Sequence, residues 1–302
     1  MKRVLLALGF SAMLSGTAIA ETYPVSMYTL DTFTKLLSTA LQERAKELGI
    51  TVKVDDARED PARQIEQVKA ALAAKPPALI VTPPNDEVAA QIDALAAAAN
   101  VPVVFMNVQP NLDRFLARTA IVASNDLVAG RMQMRYVGKL IGNKGNVAVL
   151  TGPSGHPAAI GRTNGVKEVV NSLPGLSLKT VVAANWKRDE AKAVVTGWIS
   201  AGTLPNAILA NNDDMALGAL DALQAAGIPD EQVVVAGVDA TPAALASMKE
   251  NKLDVTVLQN AVAQGRRSAD DAVALAKGQP VQLYDWIPYE LVIPSNVADY
   301  AM

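Results

Sequence analysis

Short runs of Val, Ile, Leu and Ala alternate along this chain with longer amphipathic stretches, and this alternation limits the possible folds more than any other feature. A strand that is apolar almost without interruption is buried on both faces, and a helix shows apolar residues every three or four positions. Residues 23–29 read as a strand. Residues 32–48 read as a helix, with Leu37, Leu41 and Leu48 at helical spacing and Gly49 as the stop. Strand 50–54 leads to a helix starting at Pro61, a residue suited to a first turn. Strand 78–82 ends at Pro83-Pro84, Asn85 caps a helix running to residue 99, and 101–107 is the next strand. The same grammar resumes with strands 120–123, 146–150, 181–184, 207–210 and 232–238. The helices between and after them cover 126–141, 157–173, 188–200, 213–226 and 241–251. The tail reads as strand 255–259, helix 261–277 and one last strand over 282–293. Strand–helix repeats of this kind build parallel sheets covered by helices, an α/β fold.

The first twenty residues stand outside this pattern. Lys2 and Arg3 precede an apolar run, and Ala18-Ile19-Ala20 is the small-x-small pattern that a signal peptidase cuts. The run is too short to span a bilayer, so export with cleavage after Ala20 is expected. The chain has no cysteine, so neither a lipid on an N-terminal Cys nor a disulfide is available. A soluble protein of the periplasm is the expectation. Without Lys2 and Arg3 the formal charge moves from −3 to −5. That balance argues against a nucleic-acid partner, which requires clustered positive charge. At roughly 280 mature residues a single core gives way to two, so two lobes are expected.

In open α/β sheets, ligands lie beyond the carboxyl ends of the strands. The residues assigned to these ends are Asp31, Phe33, Asn107, Arg162, Trp186, Asn212, Asp239 and Gln259. Carboxylates, amides and a guanidinium can bond neighbouring hydroxyls, and flat aromatic faces can cover the C–H surfaces of a sugar-like ring. Tyr28 adds a phenol beside Phe33.

Other motifs yield less. There is no Walker-type loop, and no G-x-G-x-x-G follows the first strand. Thr151-Gly152-Pro153-Ser154-Gly155-His156 reads as a tight β–α turn rather than an anion cradle. His156, the one histidine, has no evident nucleophile or orienting acid and is not counted among the site residues. Asp213-Asp214 suits the first turn of a helix. Asp55-Asp56 and Glu59-Asp60 read as solvated surface without calcium-loop spacing. No nucleophile–base pair, metal set or cofactor motif emerges, so the chain reads as a binder and not an enzyme.

The stretch Asn211-Asn212-Asp213-Asp214-Met215-Ala216-Leu217-Gly218-Ala219-Leu220 with Ala222-Leu223 resembles the sugar-binding branch of the periplasmic binding proteins, and ribose binders in particular. Val235-Ala236-Gly237-Val238-Asp239-Ala240-Thr241-Pro242, Gly161-Arg162-Thr163-Asn164-Gly165, Ala123-Ser124-Asn125 and Gln259 extend the likeness through the chain in the family's order. The resemblance implies a type I periplasmic binding protein: two Rossmann-like lobes joined by a three-strand hinge that closes on a ligand. It implies a first lobe of residues 21–124 plus 260–287 and a second of 125–259 plus 288–302. It also implies a sugar or polyol ligand, an ABC transporter permease as partner, a monomer and no cofactor. Phe33 and Trp186 would sandwich the ring, while Arg162 and Asp239 would make its charge-assisted bonds. Replacing either of these two by Ala is expected to abolish binding without unfolding the chain.

Two departures put ribose itself in doubt: Asn107-Val108 where ribose binders carry an Asp-Arg pair, and Thr34 in place of a second aromatic. A different pentose, a deoxy or branched sugar, inositol or erythritol would fit the altered set. A periplasmic sensor or chemoreceptor partner would use the same pocket. A sugar-sensing repressor would instead carry a helix-turn-helix at its N-terminus.

Overall fold

The computed structural model describes residues 21–300; the expected export signal, its cleavage point after Ala20 and residues 301–302 lie outside them. Twelve strands and nine α-helices follow one another in this range. The first set is β1 (Thr22–Met27), α1 (Thr32–Glu47), β2 (Thr51–Asp56), α2 (Pro61–Ala73), β3 (Leu79–Thr82), α3 (Asp86–Ala99), β4 (Val103–Asn107) and β5 (Thr119–Ala123). The second is α4 (Asp126–Leu140), β6 (Gly145–Thr151), α5 (Pro157–Ser172), β7 (Leu176–Ala183), α6 (Arg188–Ser200), β8 (Ala207–Ala210), α7 (Asp213–Ala225), β9 (Val234–Ala236) and α8 (Pro242–Lys249). The chain ends with β10 (Thr256–Gln259), α9 (Ala261–Ala276), β11 (Tyr284–Trp286) and β12 (Tyr289–Val292).

These strands form two main sheets. One has the order β11-β5-β4-β3-β1-β2, with every pairing parallel. The other is parallel in the order β7-β6-β8-β9. It continues through bridges Ala236 to Val255 and Asp239 to Leu258 toward the antiparallel pair β10-β12. Alternation along each strand sends side chains to opposite faces. On β4, Val104 and Met106 pack with α1 and α9, whereas Val103 and Phe105 pack with α2 and α3. On β8, Ile208 and Ala210 join α6, α7 and α8, whereas Ala207 and Leu209 join α4 and α5. Each sheet therefore carries its own double-sided core, and these are the two lobes expected from chain length.

Local signals set most helix starts. Asn85 Oδ1 accepts from Val88 N at 2.9 Å, as its position predicts, and Asp60 Oδ1 accepts from Ala62 N at 2.9 Å ahead of Pro61. Gly49 sits at φ +70°, where the left-handed turn ends α1.

Three expectations are revised. The strand over 181–184 begins at Leu176: β7 is a half-solvated edge, so polar Ser177, Lys179 and Thr180 interrupt the apolar run that marks a buried strand. The strand over 232–238 shrinks to 234–236, because Asp230–Gln232 forms a 3-10 turn and the backbone beyond Ala236 turns to bond the carbonyls of Val255 and Val257 through Gly237 N and Asp239 N. The single last strand over 282–293 is two strands in different sheets. Pro288, which lacks an N–H, separates Ile287, bonded to Ala123 O, from Tyr289, paired with Gln259.

Candidate functional site

The carboxyl ends of both sheets face one cavity of about 370 Å³. All nine residues expected at the site line it: Tyr28, Asp31 and Phe33 after β1, Asn107 at the end of β4, Trp186 after β7, Asn212 after β8, Asp239 after β9, Gln259 at the end of β10, and Arg162. Arg162 differs from its expected position. It is on the second turn of α5, well past the end of β6, and reaches the cavity from the helix.

Arg162 is the centre of a buried network. Its Nε donates to Asp126 Oδ1 at 2.9 Å and its Nη1 to the Asn211 carbonyl at 2.6 Å. Nη2 donates to Gln259 Oε1 at 2.8 Å and to the Tyr289 hydroxyl at 3.1 Å, while Asp239 Oδ1 stands 3.5 Å from Nη1. Burial opposes the guanidinium charge, but Tyr289, Asp126 and Asp239 outweigh it and raise its pKa above that of free arginine. Four of its five N–H groups thus donate to protein acceptors, and the second N–H of Nη1 is left on the side of Asp239. Arg162 is part of the structure as much as of the pocket, so the expectation that Arg162→Ala leaves folding intact is withdrawn. Tyr289 and Asp126, absent from the sequence-derived set, hold this network together, with Tyr289 donating to Asp126 Oδ1 at 2.6 Å.

The two other acids differ in their support. Asp31 caps α1: its Oδ1 accepts from Thr34 N at 2.8 Å, and Thr34 Oγ1 lies 2.8 Å from both Asp31 Oδ1 and Asp31 N. Burial raises its pKa, and the Thr34 bonds pull the other way. Asp239 is buried, and burial holds its carboxyl well above the usual range despite Arg162. Its φ of +120° is a strained conformation for a residue with a side chain. Asn107 at φ +69° and Trp186 at φ +66° share the left-handed region. Three pocket residues thus hold sparsely populated backbone conformations, a pattern that clusters at ligand sites.

The amides are half committed. Asn107 Nδ2 donates to Gln264 Oε1 at 3.1 Å, which leaves its carbonyl oxygen for the cavity. Asn212 caps α7 through Met215 N at 3.0 Å and holds the Trp186 carbonyl at 3.3 Å. Gln259 Nε2 is buried and has no partner among the described residues. The indole of Trp186 packs against Gly152 so closely that a Cβ there would overlap it. The Thr151–His156 segment is a turn, as expected, and Gly152 within it makes room for Trp186.

Sequence reasoning missed several lining residues. His156, set aside as a turn residue, lines the cavity with its ring edge-on to Trp186 at 5.3 Å. Glu59, read as solvated surface, is at the rim, where its carboxylate accepts from Lys187 at 3.1 Å and its carbonyl from the Tyr28 hydroxyl at 2.7 Å. Thr32 Oγ1 donates to Asp214 Oδ2 at 2.7 Å. The Lys187 and Asp214 contacts join the β2–α2 loop and α1 to the start of α6 and to α7 of the other lobe. Asp213 is structural as expected: it accepts from Thr241 N at 2.7 Å and from Thr256 Oγ1 at 2.7 Å. Among the described residues no cluster of three or more potential metal ligands occurs, and no helix is long and apolar enough to cross a membrane.

The family model described as periplasmic binding protein domain matches residues 23–280, and the chain belongs to that family. It is 38% identical over 305 residues to the putative rhizopine-binding protein of Rhizobium meliloti, covering 99% of each chain. It is 28% identical to the ribose import binding protein of Escherichia coli K12, covering 95% of this chain and 96% of that one. Among solved structures, an ABC transporter solute-binding protein from Bacillus halodurans C-125 with bound myo-inositol matches with a TM-score of 0.90 at 38% identity, covering 95% of this chain and 99% of that one. The Caulobacter myo-inositol-binding protein bound to myo-inositol gives 0.85 at 29%, covering 92% and 95%. The fold is that of the type I periplasmic binding proteins, with parallel sheets in two lobes.

Proposed function

We propose that this chain is the substrate-binding component of an ABC importer and takes a ring-shaped polyol of the inositol class between its lobes. The observation that carries this reading is the convergence of Asp31, Asp239, Asn107 and Gln259 with the indole of Trp186 on one cavity between two sheets. Carboxylate and amide oxygens accept from hydroxyls, Gln259 Nε2 lacks an internal partner, and the indole face suits ring C–H groups. Valine at position 108 removes the guanidinium expected of a ribose binder, and two myo-inositol-bound proteins share the fold. We divide the lobes into 21–124 with 260–287 and 125–259 with 288–302. Hinge closure at the three crossings between them hands the ligand to a membrane permease. The mature protein works as a periplasmic monomer released by cleavage after Ala20.

A thermal-shift panel of inositols, pentoses, hexoses and tetritols on refolded, ligand-stripped protein tests this. A ligand at a hundred times its Kd adds about 2.7 kcal/mol of stability. The expected result is a clear upward shift with at least one inositol and a smaller one, or none, with ribose. A flat response across the panel refutes the polyol reading.

A further inference from the structure

We propose that His156 is a ligand-binding residue whose Nε2–H donates a hydrogen bond to a hydroxyl oxygen of the bound polyol. The proposal rests on the polyol reading and follows from which donors of the cavity are already engaged. Every hydroxyl of a polyol both donates and accepts. The cavity is rich in acceptors, with Asp31, Asp239 and the Asn107 carbonyl oxygen facing it. Its charged donors are largely engaged: four N–H groups of Arg162 go to Asp126, Asn211, Gln259 and Tyr289, its guanidinium stands 3.5 Å from Asp239, and the Lys187 ammonium bonds Glu59. Among the described residues Gln259 Nε2 is a buried donor without an acceptor, and the one hydrogen bond of the His156 ring there is made by Nδ1, which leaves the far nitrogen as a second.

The turn fixes which nitrogen of His156 carries the proton. As the N-cap of α5, its Nδ1 accepts from Ala158 N at 3.2 Å, so the neutral ring is protonated on Nε2. Burial pushes its pKa down to about 4, which keeps the ring neutral at physiological pH. The edge contact with Trp186 at 5.3 Å and 84° limits its rotation, so the donor is preorganised beside the aromatic surface.

His156→Asn separates this role from capping, because asparagine is a good N-cap but does not reach as far as Nε2. With myo-inositol as probe, calorimetry should show the variant binding about tenfold more weakly at nearly unchanged Tm. Monodeoxy-inositols identify the partner: one of them should bind wild type weakly yet lose nothing further in the variant. Since the chain has a single histidine, ¹⁵N-histidine NMR reports on this ring alone. It should show the Nε2–H tautomer from pH 8 to 5, with that proton shifted and protected from exchange once myo-inositol is bound. Equal affinity of variant and wild type, or a ring that titrates near 6.5 and ignores ligand, overturns the proposal alone. If the wild-type protein binds no polyol at all, the polyol reading falls and this proposal falls with it.

Discussion

Gly152 lies flat against the indole of Trp186, and no other residue fits at position 152 while the ring keeps its place. The bulk of the aromatic is thus matched by an absence of bulk one strand away. Gly152→Ala should displace the indole from the cavity. Overpacking of this kind costs about 1–3 kcal/mol, so a modest fall in Tm and roughly a tenfold or greater loss of polyol affinity are expected. Calorimetry and tryptophan fluorescence, read together, check both effects.

Arg162→Ala should both unfold the protein more readily and abolish binding. Removing it leaves Asp126 and Asp239 buried without their cation, and breaking a buried pair in this way costs about 3–5 kcal/mol. At about 2 °C per kcal/mol for a chain of this size, Tm should drop by roughly 6–10 °C. Asp239→Asn leaves the guanidinium its other partners, so it should lose affinity with a much smaller fall in Tm. Thermal unfolding of the two variants side by side distinguishes a network centre from a pocket wall.

The contacts Lys187 to Glu59, at the rim of the cavity, and Thr32 to Asp214 tie the two lobes together. Both members of the first pair are about half exposed, at 44% and 50%, and exposed pairs contribute about 0.2–1 kcal/mol. Lys187→Ala should therefore speed polyol dissociation by roughly 1.5- to 5-fold at low salt, with a smaller effect in 0.5 M NaCl. Stopped-flow release measured at two ionic strengths provides the check.

Asp271 on α9 offers a test of stability against pH. Burial raises its pKa to about 6, Arg267 at 3.3 Å opposes this, Asp285 and Asp270 add to it, and Asp271 Oδ2 has no partner among the described residues. Between the unfolded carboxylate value and about pH 6 the folded state holds the extra proton, so stability falls as pH rises through that window. Asp271→Asn should flatten this slope, raising Tm relative to wild type at pH 8 and leaving it nearly unchanged at pH 4.5. Scanning calorimetry at these two values measures it.

What could be read from the sequence follows what each residue must satisfy alone. Strands such as Val103–Asn107 are buried on both faces, so their composition shows them directly. Asp31, Asn107, Asn212, Asp239 and Gln259 stand at strand ends, where an apolar run stopping at a polar group marks the cavity wall. His156, Glu59 and Tyr289 escaped because their roles depend on distant partners. His156 faces Trp186 thirty residues away, Glu59 meets Lys187 from the other lobe, and Tyr289 reaches Arg162 and Asp126 from the last strand. Arg162 lines the cavity from within α5 rather than from a strand end, and its sequence context gives it too simple a part, since the acceptors that surround it come from four separate segments.

The break at Pro288 also fixes the order in which the molecule can be completed during synthesis. The edge strand β11 of the sheet begun at Thr22 is not made until residue 286, and β12, which seals β10 and supplies Tyr289 to Arg162, follows at once. Both lobes therefore stay unfinished until the ribosome has made nearly the whole polypeptide. Products cut short before residue 284 would leave the edge of β5 and the acceptors around Arg162 exposed to proteases.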